Sequence, residues 1–213
     1  MAQRSYQQFC GLAHALDLVG ERWALLLVRE LLTAPKRFTD LRNGLPRIPT
    51  NVLTARLKEL EEAGVVERRV LPRPSSSVVY ALTDHGRGLE EAILSLARWG
   101  TKTIGEPGPS DVINSSAFAL GLRSTFHPEA ASGLAATYEV SFGNALVHLR
   151  VDNGAVEAYE GPADQPDLKI ATDALPALLR GDLSPAEAEH TGAVRLTGDA
   201  RLLEPFTAIF RLD

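Results

Sequence analysis

Residues 50–70 read TNVLTARLKELEEAGVVERRV, and this stretch decides the fold of the first half of the chain. Leu53, Leu57 and Leu60 recur at helical spacing on one stripe, while Asn51, Thr54, Ala55 and Lys58 fall on the opposite side. Gly64 closes that helix, because a glycine tolerates the left-handed turn that ends one. Residues 65–70 then have the β-branched content of a strand, and residues 77–82 (SVVYAL) repeat it across a Pro/Ser-rich loop, residues 72–77. A helix followed at once by a two-stranded ribbon is the second half of a winged helix-turn-helix.

The preceding residues supply the first half. Leu12, Leu16 and Val19 mark a short amphipathic helix, and residues 23–32 (WALLLVRELL) are apolar nearly all round, as expected of a central buried helix. Pro35 ends it. Residues 39–45 make a short third helix that Pro46 stops, and Thr83-Asp84 cap a last helix carrying Leu89, Ile93, Leu96 and Trp99. This order sets the helix at residues 50–63 to enter a DNA major groove, with its apolar stripe held against its own domain. Its exposed side can then meet base edges: Asn51 pairs bidentately with adenine, and Thr50 and Thr54 bond a base or touch a thymine methyl. Arg37, Arg42, Arg56 and Lys58, with Arg68, Arg69 and Arg73 around the wing, are the candidate phosphate contacts, which supply affinity more than sequence reading. The same periodicity also suits an amphipathic surface helix that binds nothing; the wing arginines favour DNA.

Charge follows the same division. The 213 residues carry a net charge of -5, but residues 1–106 hold 15 Lys+Arg against 12 Asp+Glu, and residues 107–213 hold 7 against 15. Residues 105–110 (GEPGPS) form the candidate linker, so we expect a domain at 1–106, a linker at 107–110 and a second domain at 111–213. The lone Cys10 excludes an intrachain disulfide. No secretory leader pattern and no apolar run approaching the ~20 residues of a membrane span is present, so a cytoplasmic protein without membrane insertion is expected.

The second half reads as strands followed by helices. Residues 112–122 suit a helix. Residues 136–142 place Tyr138, Val140 and Phe142 on one face, and residues 145–152 do the same with Val147, Leu149 and Val151. Asn153-Gly154 predicts a tight hairpin into residues 155–159. Leu168 and Ile170 mark a fourth strand, residues 173–179 a helix and residues 193–196 a fifth strand. A closing helix carries Leu202, Leu203, Phe206 and Phe210. The class is α+β: a five-stranded, mainly antiparallel sheet covered by helices. Phe118, Leu122, Phe142, Leu149, Phe206 and Phe210 are core residues by default, and they are also our candidates for lining an apolar ligand site between the layers.

An enzyme is not expected. His14, His85, His127, His148 and His190 include no pair spaced by three or four residues, and no phosphate-binding glycine loop or nucleophile elbow is present, so no metal or other cofactor is assigned. His148 lies on the strand face opposite Val147 and Leu149, where it is solvated rather than catalytic.

Two resemblances sharpen this. Cys10, LDLVG at 16–20, Trp23, Arg29-Glu30, RFTDL at 37–41, Leu45-Pro46, LTARLKELE at 53–61, YALT at 80–83, Gly86-Arg87 and Trp99-Gly100 together resemble the HxlR-type regulators, relatives of the MarR-type winged helices. The resemblance implies a homodimeric regulator of a double-stranded DNA operator, joined through the first and last helices of the domain. Pro49 stands where family members often have a capping Ser, and Gly11 where Pro is common. Some members sense oxidants or electrophiles through the N-terminal cysteine. For Cys10 we favour instead a small buried residue in the dimer-forming helix.

Residues 167–172 (DLKIAT), 178–188 (LLRGDLSPAEA) and 192–199 (GAVRLTGD) are similar to the sterol carrier protein family. That likeness implies an apolar tunnel between sheet and helices. The expected whole is a regulator whose second half holds a hydrophobic small molecule or lipid and modulates operator binding. The alternatives are a second half that only dimerises or docks a partner, and a thiol sensor through Cys10.

Overall fold

The computed structural model describes residues 5–72, 76–105, 107, 108 and 110–212. It forms two compact units, one ending at Ile93 and one beginning at Leu94.

The N-terminal unit runs α1 (Gly11–Val19), α2 (Ala24–Thr33), α3 (Phe38–Gly44), α4 (Thr50–Glu62), β1 (Val66–Val70), β2 (Val78–Leu82) and α5 (Asp84–Arg87), with α6 (Glu90–Thr101) crossing the division. Leu27, Val28 and Leu31 of α2, Leu41 of α3 and Leu53, Leu57 and Leu60 of α4 are all buried, so the leucine stripe faces the core. Gly64 follows α4 with φ +67°, and the Val65 N–H returns to the Leu60 carbonyl at 2.9 Å, which turns the chain directly into the wing. The wing pairs Val66 with Leu82 through Val70 with Val78, antiparallel. Lys36 adds a bridge to Tyr80, with its N–H on the Tyr80 carbonyl at 2.9 Å.

One expectation needs correction here. The helix capped by Thr83 is two helices, α5 and α6, because the chain turns at Gly88-Leu89. On the second of these Leu96 and Trp99 are exposed and only Ile93 is buried. Leu12 and Leu16 of α1 are likewise exposed, and α2 leaves Leu26 outside the core. An apolar residue on a helical stripe marks a face; it does not say whether the same chain covers that face.

The C-terminal unit contains α7 (Ser115–Ser124), β3 (Ala135–Phe142), β4 (Ala145–Asp152), β5 (Ala155–Glu160), β6 (Leu168–Thr172), α8 (Leu175–Arg180), α9 (Pro185–Thr191), β7 (Val194–Gly198) and α10 (Leu203–Ile209). The five strands are ordered β5-β4-β3-β6-β7. The sheet is mixed: β3 and β6 are parallel, and the other three pairings are antiparallel. The expected hairpin is present, with Asn153 at φ 45° and Gly154 at φ 86°.

Tyr138, Val140, Val147, Leu149, Leu168 and Ile170 share one buried face with Phe118 and Leu122 of α7, Leu178 of α8, Ala188 of α9 and Phe206 of α10. The helices therefore form one layer over one side of the sheet. Helix α7 starts later than the expected residue 112, because the Asn114 side chain accepts the Ala117 N–H at 2.7 Å and sets its first turn. Helix α9 was not anticipated; Ser184 and Glu187 close a reciprocal capping box at its start.

Candidate functional site

Two places carry the chemistry, one in each unit. In the first, α4 turns Leu53, Leu57 and Leu60 inward and leaves Thr50, Asn51, Thr54 and Lys58 exposed. Pro49 precedes the helix with no side-chain cap, since proline offers no acceptor. The Thr54 hydroxyl donates to the Thr50 carbonyl at 3.0 Å. That leaves the Thr54 methyl group and the hydroxyl's lone pairs to meet a ligand. Lys58 stands near Glu62 at 3.6 Å, an open surface pair.

Arg56 differs from the other arginines. Its side chain is largely buried, with Nη2 3.4 Å from Glu21 and Nη1 on Glu59. Arg37 and Arg42 are exposed at the start and end of α3. The Arg37 N–H donates to the Asp40 carboxylate at 2.9 Å, which fixes that helix start. Arg68 and Arg69 are exposed on β1; Arg68 lies 5.9 Å from the Tyr80 ring centroid, and Arg69 Nε donates to Glu67 at 2.7 Å. Arg73, the candidate at the wing tip, lies outside the described residues.

The structure adds a group that periodicity did not reveal as a unit. Glu30, on the buried side of α2, is fully inaccessible; its carboxylate accepts from Arg29 Nη2 at 2.6 Å and from Lys36 Nζ at 3.1 Å. Because the Lys36 backbone bridges to Tyr80, this charge cluster ties α2 to the wing. A Glu on an apolar helix is the available signal, since a buried carboxylate requires partners.

Cys10 corrects an expectation. It is the exposed N-cap residue of α1 rather than a buried one. The backbone N–H groups of Ala13 and then Leu12, at the open start of the helix, hold its thiol below the ordinary thiol range.

The second place is the apolar layer of the C-terminal unit. Phe118, Leu122, Leu149, Phe206 and Phe210 are buried in one cluster, with Phe142 packed against it. Rings run through that cluster: Phe118–Phe142 at 5.9 Å, Tyr138–Phe206 at 5.2 Å and Phe206–Phe210 at 5.0 Å between centroids. Phe210 caps α10 rather than lying in it, and it bridges to Phe126. Tyr138, which was read only as a face residue, is fully buried here with a hydroxyl that has no hydrogen-bond partner among the described residues. Burial, and then the nearby Asp167 carboxylate, push its phenol well above the ordinary range. On the opposite sheet face His148 stacks on Tyr159 at 5.0 Å, with Nδ1 3.1 Å from the Gly161 carbonyl oxygen.

Comparison with known proteins bears on both places. Residues 18–107 match the HxlR-like helix-turn-helix family, and residues 119–211 match the SCP-2 sterol transfer family. The HTH-type transcriptional regulator YvaP of Bacillus subtilis is 39% identical over 90 residues, 42% of this chain and 83% of that one. The HTH-type transcriptional regulator YodB of the same organism is 38% identical over 94 residues, 44% of this chain and 83% of that one. Among solved structures, the reduced form of B. subtilis YodB is 34% identical and covers 49% of this chain and 100% of that one, with a TM-score of 0.41. The chain belongs to the HxlR-like helix-turn-helix family of DNA-binding transcriptional regulators, and behind that half it carries a domain matching the SCP-2 sterol transfer family.

Proposed function

We propose that this regulator binds a palindromic operator as a homodimer and that its C-terminal domain, residues 111–213 after a linker at 107–110, holds a hydrophobic effector that alters operator affinity. The observation that carries the reading is the partition of α4, which buries Leu53, Leu57 and Leu60 and exposes Asn51, Thr54 and Lys58. In this reading Asn51 and Thr54 meet base edges. Arg37, Arg42, Lys58, Arg68, Arg69 and Arg73 meet phosphates, and Arg56 holds α4 against its own domain through Glu21 and Glu59. Exposed Phe9, Leu12 and Leu16 at the start of the chain, with Leu96 and Trp99 on α6, supply apolar surface suited to the second copy.

The test is selection of DNA from a random library by the full chain, followed by binding at several salt concentrations. Asn51→Ala lowers affinity for the selected site by about five- to a hundredfold, the cost of one lost bidentate base contact. Lys58→Ala reduces the salt slope by about one unit. Selection of no sequence would sink the reading. A lipid-like ligand that changes operator affinity supports the effector role. If no apolar ligand does so, the C-terminal domain is a dimerisation or partner-docking module.

Cys10 supports a second reading, in which its exposed, acidified thiol makes operator binding sensitive to oxidants. Treatment with diamide tests it: an operator affinity that changes equally in wild type and Cys10→Ser removes the idea.

A further inference from the structure

We propose that Glu21 is a positioning residue for operator reading: from the corner between α1 and α2 its carboxylate holds Arg56 and fixes the rotation of α4 that presents Asn51 and Thr54 to base edges. This role rests on the operator reading above and goes beyond it, since Glu21 acts through Arg56 and not on the DNA.

The corner is built to hold one geometry. Gly20 ends α1 with its N–H on the Leu16 carbonyl at 2.9 Å, and a Cβ built there falls 2.4 Å from that oxygen. Trp23, just before α2, takes φ +80°, a left-handed conformation that is costly for an aromatic residue. Between these two the Glu21 carbonyl accepts the Ala24 N–H at 3.0 Å, so the backbone that carries the carboxylate is fixed to the start of α2. Strain of this kind persists only where the surrounding structure over-determines it. The corner delivers Glu21 Oε2 to 3.4 Å from Arg56 Nη2.

Arg56 needs that partner. Its side chain is 18% exposed, and its Nε is buried without a hydrogen-bond partner among the described residues, so the guanidinium charge depends on carboxylates. Glu59 is one, but it lies on α4 itself and cannot set where the helix points. Glu21 lies outside the helix and can. Arg56 is three residues from Leu53 and four from Leu60, so it borders the buried stripe. Leucine packing is non-directional and tolerates a small rotation of the helix, whereas a guanidinium fork has a fixed geometry. A bidentate contact from Asn51 to adenine requires placement within roughly 0.5 Å and 10–20°, so the directional tie decides whether that contact forms.

The experiment takes the full chain as wild type, Glu21→Gln, Asn51→Ala and the double variant. It measures binding to the selected operator and to a scrambled duplex of equal length, with the melting temperature of each protein. Charge alone predicts the opposite of positioning: neutralising a carboxylate near a polyanion site tightens binding to both duplexes. Positioning predicts that Glu21→Gln weakens operator binding about five- to tenfold and leaves the scrambled duplex bound as tightly or more so. Because Glu21 is half exposed, its loss shifts the melting temperature by less than about 4 °C. In the Asn51→Ala background the same substitution costs less than about twofold, since the contact it would misplace is already gone. Operator affinity that is unchanged or raised in Glu21→Gln overturns the proposal, and so does a cost of the same size that persists in Asn51→Ala. A larger fall in melting temperature with both duplexes weakened together shows a tie that serves only the fold, and it overturns the proposal as well. If Asn51→Ala itself binds the operator as wild type does, the base-contact reading falls and the positioning role falls with it. If only Glu21→Gln is silent, the positioning role falls alone.

Discussion

Inside the N-terminal unit Lys36 Nζ donates to the Glu30 carboxylate at 3.1 Å, with the carboxylate fully buried and the lysine side chain nearly so. The pair joins two parts of the unit whose positions matter for DNA binding. Glu30 lies on α2, against which α4 packs, and the backbone of Lys36 is bonded to Tyr80 in the wing. Breaking one side of such a pair strands a charge, which costs more than the intact pair contributes. Lys36→Met keeps the apolar stem and removes the charge that faces Glu30. It is expected to lower stability by about 2–3 kcal/mol, the range for a lost charge-assisted bond in a buried site. Urea unfolding followed by far-ultraviolet dichroism measures this. Adding Glu30→Gln to Lys36→Met recovers part of the loss, and strictly additive costs would refute the coupling.

Gly86 is the second tie between the wing and the helices. A Cβ built there falls 2.1 Å from the Val65 carbonyl oxygen, so the backbone must move to admit one. Around it Thr83 Oγ1 accepts the Gly86 N–H at 3.0 Å and donates to the Gly64 carbonyl at 2.6 Å, joining the end of α4 to the start of α5. Gly86→Ala is expected to cost about 1–3 kcal/mol, the range for overpacking. Gly100, in α6, has open space around an added Cβ, so Gly100→Ala is neutral or stabilises by up to about 1 kcal/mol through helix propensity. Thermal melts of the two variants, one falling and one not, separate steric conflict from a general effect of losing glycine.

Much of this was legible from periodicity. The Leu53-Leu57-Leu60 stripe identified both the inward face of α4 and the side left for DNA, because a helix has only one face to bury when a single layer covers it. Alternation in residues 136–151 gave β3 and β4, and Asn153-Gly154 gave their link to β5, because turn chemistry and a period of two are local properties. The parallel pairing of β3 with β6 joins Tyr138 to Leu168 across an intervening antiparallel excursion, and no local pattern encodes it. Exposure was also illegible. Leu12, Leu96 and Trp99 have the spacing of core residues yet lie outside, and Cys10 was expected inside yet caps α1 in solvent. Composition marks such residues as apolar, and only the tertiary arrangement says whether their own chain covers them. Tyr138 was read only as one residue of a strand face; its burial, and a hydroxyl with no hydrogen-bond partner among the described residues, exist only relative to everything packed around it.

Cys10 gives a prediction with a definite sign in pH. The N–H groups of Ala13 and Leu12 stabilise its thiolate in the folded chain and are lost on unfolding, so its folded pKa lies below its unfolded one. By linkage, this contribution to stability is present above the unfolded value and is lost as pH falls through the folded value. The kinetic consequence is easier to measure. Because the thiolate is the reacting form and the chain has a single cysteine, iodoacetamide labelling followed by intact mass reads this site alone. The pH of half-maximal labelling rate should be lower for the native chain than for the chain in urea, and native labelling at neutral pH should be the faster of the two. Substituting Gly11 by Pro leaves the Ala13 and Leu12 donors in place and should preserve the difference, since the proline removes only the N–H of residue 11 and suits the first turn of a helix. A half-maximal pH that is the same in native and unfolded chains would show that the helix start does not acidify Cys10, and would leave the thiol with no more reactivity than any exposed cysteine.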